Sequence, residues 1–138
     1  MATFKSYSAL VTEINKRTEI AVENACNRLL GILQEIIDKS YYDQFEPDFY
    51  KRSYQFWQSA TTKMLSQSCG QIFMDKSAMN YGAYWDGECQ LEFASRGYHG
   101  STEYQTKGRF CEEFSEYCEN NAVRILREEL VKAGVPIK

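Results

Sequence analysis

One histidine and two prolines in 138 residues close off several explanations at once. His99, in Arg96-Gly97-Tyr98-His99-Gly100-Ser101, is the sole imidazole available as a general base or metal ligand. Cys111 or Ser101 would have to be brought to it by the fold, and no nucleophile-elbow or papain-like pattern surrounds either. The five cysteines (26, 69, 89, 111 and 118) include no close pair of the kind that pre-positions zinc ligands. Cys111 and Cys118 are the nearest, two helical turns apart, a spacing that suits small apolar residues facing a core. An odd number of unpaired thiols is expected to stay reduced in a cytosol. Long hydrophobic runs are missing too. No stretch approaches the ~20 apolar residues of a membrane span, and the opening Met1–Leu10 has no cationic, apolar leader character. Net charge is only −3, spread evenly, with no basic block to track a phosphate backbone. Sequence-specific nucleic-acid binding and membrane attachment are therefore not expected.

What is present suits one globular domain, 1–138, with 43% hydrophobic and 25% charged residues. Aromatics make up 14%, ten of them tyrosine, a side chain with a large apolar face and a polar tip. From Ser6 to Ser40 apolar residues recur at helical spacing, among them Leu10, Val11, Ile14, Ala21, Val22, Ala25, Leu29, Leu33 and Ile37. Such a helix is on the order of 50 Å long, more than a small domain spans. Part of its stripe needs another partner, or the helix bends.

Pro47 ends that element and biases Glu46 toward extended backbone. The aromatic run that follows predicts a short helix capped by Asp48, with Tyr50, Tyr54 and Trp57 on one face. Ala60–Ser66 and Gln71–Met74 read as strands around a turn at Cys69-Gly70. Glu88–Ser95 fits a short helix or a third strand equally well. The glycine-bearing segment from Arg96 to Arg109 reads as loop. Arg109–Ala133 is a second amphipathic helix, with Gly134 as its stop and Pro136 beyond. The order predicts an α+β fold: a long N-terminal helix and a C-terminal helix packed on a small, mainly antiparallel sheet.

The carboxylates Glu112, Glu113, Glu116 and Glu119 stand in the first turns of the last helix, where they complement the positive end of its dipole. Two-metal chemistry needs carboxylates converging from several elements, and no phosphate-cradling glycine loop with its lysine is present. No enzyme activity, catalytic residue, cofactor or metal is expected.

Pro47, Tyr50, Arg52, Ser53, Phe56 and Ser59 follow a short pattern of Pro, Tyr-x-Arg-Thr, an apolar residue and Ser. With the order of elements around it, the chain resembles the head–tail joining and tail-completion (neck) structural proteins of tailed bacteriophages and prophages. Ser53 stands where Thr is usual, and the Thr-Gly of more distant members is absent. The resemblance implies a non-enzymatic virion component, assembled in the host bacterial cytoplasm. It implies a homo-oligomeric ring, often sixfold in the family, between connector and tail-tube proteins around a DNA channel. In that setting Phe45, Phe49 and Phe56 would pin the long helix to the sheet, leaving Tyr50, Tyr54 and Trp57 for a subunit boundary. The loop residues Tyr98, His99, Lys107 and Arg109 form a second set of candidate contacts. The competing expectation is a small phage-encoded inhibitor that binds a host defence nuclease.

Overall fold

A computed structural model describes residues 3–44, 54–79, 91–92, 94–96 and 109–137. Helix α1 spans Tyr7–Ser40 and is uninterrupted, as the apolar periodicity predicts. Ser6 caps it: its hydroxyl accepts from the Ala9 amide at 3.1 Å, satisfying one of the amides a helix start leaves orphaned. After a single 3₁₀ turn at Tyr42–Gln44, helix α2 (Gln55–Gln58) is one turn long. Strands β1 (Ala60–Ser66) and β2 (Cys69–Met74) pair antiparallel, and helix α3 (Phe110–Lys132) closes the described chain. The architecture is α+β, with a long and a C-terminal helix on a small sheet.

Helices α1 and α3 lie antiparallel. Arg17 Nη1 donates to the Gly134 carbonyl at one end of the pair. Arg28 bonds Glu129 midway, and Leu33 and Ile37 share a cluster with Phe110 at the other end. Two apolar clusters result. The larger joins Leu33, Ile37, Tyr41, Tyr42, Phe56, Ala60, Met79, Ala94 and Phe110; the smaller joins Ala25, Leu29 and Ile125, with Ile72 of β2 packed against both. Helix α3 ends as predicted at Gly134, whose φ of 81° only glycine adopts without strain. The Gly134 amide bonds the Val131 carbonyl and the Val135 amide bonds the Leu130 carbonyl, the paired bonds of a Schellman motif.

Three sequence expectations need correction. The hairpin turns at Gln67-Ser68, not at Cys69-Gly70, both of which belong to β2. The Ser66 hydroxyl accepts from the Ser68 amide and supplies the turn chemistry expected of the glycine. Gly70 instead answers to packing. A Cβ there would stand 2.5 Å from Cys26 Sγ, so β2 can lie this close to α1 only without one. Second, Cys111 is exposed, while Cys118 seven residues on is half-buried against the smaller cluster. Third, Tyr54 stands just before α2 rather than on its face, and α2 begins there with no side-chain cap; the expected cap Asp48, like Phe45, Pro47 and Phe49, lies outside the described residues. The ambiguity over Glu88–Ser95 resolves toward helix at residues 91–92 and 94–95, where the Arg96 amide bonds the Glu92 carbonyl.

Arg28, placed by its periodicity on the polar side of α1, reaches across to α3. It bonds Glu128 at 2.9 Å and Glu129 at 2.8 Å. Glu129 is only 6% exposed at its side chain and also receives Lys132 at 3.1 Å. Hydrogen bonds from Arg28 first, then Lys132, hold the Glu129 carboxyl below the usual carboxylate range; Arg28 and then Arg124 do the same for Glu128. Carboxyls whose folded pKa lies below the unfolded value stabilise the fold above the unfolded pKa. That contribution disappears as pH falls through the folded value. Arg28→Met is accordingly expected to melt lower than the parent at neutral pH. The gap should narrow as pH falls below the normal carboxylate range. Calorimetry across pH checks both signs.

Candidate interaction surface

The short aromatic segment around α2 divides its residues sharply between interior and surface. Phe56 is fully buried. Its ring stands 5.0 Å from Tyr41 at the end of α1 and 5.2 Å, edge-on, from Phe110 at the start of α3. It therefore ties both long helices together at the end where the hairpin begins. Tyr42 joins the cluster, edge-on to Tyr41 at 5.0 Å, and its hydroxyl accepts from the Trp57 amide at 3.3 Å. Tyr54 lies against Tyr42 at 4.8 Å between ring centroids, yet remains 44% exposed.

Asp38, Tyr54, Trp57 and Gln58 line an open groove beside this cluster. The Asp38 carboxyl is pushed above its ordinary value, first by burial and then by the nearby Asp43, with a smaller push from Glu35. The Trp57 indole opposes the shift by hydrogen bonding to it. Among the described residues the groove thus sets two aromatic side chains beside one carboxyl and one amide.

Tyr54 and Arg109 are the non-glycine residues of positive φ among the described residues, at 57° and 61°. Each stands just before a helix, and those helices meet where Phe56 touches Phe110. A left-handed backbone costs a non-glycine residue ~1–2 kcal/mol, so the Phe56–Phe110 contact holds both strained residues in place. Arg109 itself is exposed. Its amide bonds the Ser95 carbonyl at 3.2 Å, and its guanidinium pairs with Glu112 at 3.5 Å.

Of the candidate contacts, Tyr54 and Trp57 share the groove and Arg109 stands at the start of α3. Tyr50, Tyr98, His99 and Lys107 lie outside the described residues. Trp57 also serves the fold. It is half-buried and packs against the larger cluster. Trp57→Ala is expected to destabilise the monomer by about 1–3 kcal/mol through lost packing and the lost indole bond. Trp57→Phe should recover most of the packing part, as denaturant midpoints would register.

Periodicity alone left a second surface without a boundary. The first buried residue of α1 is Ala21, so the turns before it contribute nothing fully buried. Phe4, Tyr7 and Val11 are exposed there, with Val131 and Ile137 exposed at the adjoining end of α3. The signal was in the sequence as the continued stripe; where α3 stops covering it was not.

Among the described residues no group of three or more His, Cys, Asp or Glu could hold a metal ion, and no helix is long and apolar enough to cross a membrane. No curated protein and no solved structure matches the chain. One family model does, the one described as YomN, over residues 6–133. That span runs from the Ser6 cap of α1 to the end of α3. The chain belongs to the YomN family, and with it to the phage- and prophage-derived proteins.

Proposed function

We propose that the protein is a non-enzymatic structural component of a phage particle, at the neck or the head-proximal end of the tail. Its role there is head–tail joining, tail completion or tail termination. Like copies form a ring around the DNA channel, between connector and tail-tube neighbours. The observation that carries this reading is a phage-derived chain whose long helix leaves its stripe uncovered over its first turns. Apolar surface gathered in one place on a small domain marks a contact with another molecule. Contacts between unlike surfaces of identical chains close into rings when the rotation between neighbours permits. The sixfold count and the tail-ward position come from resemblance to neck proteins.

Electron microscopy of the purified protein, together with immunolabelling of purified virions, tests the reading. The expected result is a ring in the first and label confined to the neck or upper tail in the second. Virions without the protein, together with a monomer that co-purifies with a host nuclease, would overturn it in favour of the inhibitor.

A further inference from the structure

The face of α1 that seats α3 continues past the end of α3. Tyr7, Val11, Ile14 and Thr18 recur at spacings of four, three and four, in line with Ala21 and Ala25, which are buried. Yet α3 ends at Lys132, and Gly134 is level with Arg17. About ten residues of α1, or ~15 Å of helix, therefore run on beyond it. Five of the nine large hydrophobics exposed among the described residues gather at this end: Phe4, Tyr7, Val11, Val131 and Ile137.

We propose that this vacant seat takes the first three turns of α1 from a second copy of the chain, packed antiparallel in a two-fold contact. Direction favours this occupant. An incoming α1 antiparallel to the resident one runs the same way as the resident α3, so its start meets the end of α3 nearly head to tail. The facing poles are of opposite sign, roughly half a charge each. The first turn of α1 contains no acidic residue to oppose that approach. At the end of α3, Lys132 is turned onto Glu129 at 3.1 Å. Along the contact Glu13 and Glu19 balance Lys16 and Arg17, so two copies meet without net repulsion.

The apolar area reaches the low end of what a specific contact needs. An aromatic side chain buries about 150–250 Å², so the uncovered parts of Phe4 and Tyr7 from two copies supply roughly 500 Å². Val11, Ile14 and Ile137, doubled, add roughly 300 Å², and the stems of Lys16 and Arg17 beside them bring the total toward the ~1,000 Å² of a specific contact. Such a pair closes at two copies and occupies the same uncovered stripe that supports self-association in the proposed function. It rests on that self-association, and a ring needs a further contact elsewhere on the surface.

Sedimentation equilibrium of the full chain tests it, comparing the parent with Tyr7→Glu/Val11→Glu. Both positions are exposed, so melting monitored by circular dichroism should not change at concentrations low enough that both proteins are monomeric. The parent is expected to reach at least the mass of two chains, and the variant's dissociation constant to rise on the order of 100-fold, about 2.7 kcal/mol. Val123→Glu, exposed on α3 away from this end, should associate like the parent. A parent that stays monomeric at every concentration, or a double variant that associates unchanged, overturns the contact. Rings that persist in micrographs of the double variant with its association unchanged overturn this contact alone. Two-fold dimers with no ring in virions overturn the ring alone.

Discussion

Phe56→Ala is expected to destabilise the protein by about 3–5 kcal/mol, the cost of removing a fully buried phenylalanine that the surroundings cannot close over. Closure is unfavourable because the neighbours belong to three separately anchored elements. Tyr41 sits at the end of α1, Phe110 at the start of α3 and Ala60 at the start of β1. Moving any of them inward would pull a long helix or a strand off its other contacts. Against a typical total of 5–15 kcal/mol the loss is a fifth or more, equivalent to a fall of on the order of 10 °C in Tm. Phe56→Leu keeps most of the volume but loses the ring edges and should cost about 1–2 kcal/mol. Tyr54→Ala, two residues away and exposed, should fall well short of Phe56→Ala. Denaturant titration with unchanged m-values reads all three. A Phe56→Ala loss under ~1 kcal/mol would mean that the cluster is not the joint between α1, α3 and the hairpin.

Phe56 also shows what the sequence could and could not disclose. The long helices were legible because more than six turns of one period leave little freedom, and caps such as Ser6 and Gly134 mark the ends with local chemistry. Strand β1 was legible as a short segment that starts with two threonines and stops ahead of a turn. Which aromatic goes inward in Tyr54-Gln55-Phe56-Trp57 was foreseen for Phe56, the one without a polar atom. Trp57 was harder to assign, because its indole finds Asp38 only after the chain folds back. Partners far apart in sequence stayed hidden for the same reason. Arg28 meets Glu128 and Glu129 a hundred residues later, and periodicity assigned it to solvent. The bare end of α1 depends on where α3 stops relative to Arg17, a register that no local signal encodes. The groove at Asp38 is a juxtaposition of α1 with α2, again a product of tertiary packing.

Gly70→Ala is expected to destabilise by about 1–3 kcal/mol, the usual range for overpacking, although strand propensity predicts the opposite sign. Glycine inside a strand normally costs ~0.5–1 kcal/mol relative to alanine, so a position with open space would gain from the change. Here the new Cβ would stand 2.5 Å from Cys26 Sγ, with Met64 Sδ and Val22 Cγ1 both at 3.4 Å. Only the sulfur is too close, and it cannot swing away easily. Cys26 is buried on a helix, where one of its three rotamers clashes with the preceding turn. The alternative is for β2 to lift off α1, which would loosen Ile72 from both apolar clusters. The same geometry predicts a rescue. Cys26→Ala alone should cost a modest amount for lost packing. In its background Gly70→Ala should become nearly neutral, giving a coupling energy of about 1–3 kcal/mol in a double-mutant cycle. Additive losses would place the strain elsewhere along β2, and a stabilised single Gly70→Ala would show that β2 lies farther from α1 than this packing requires.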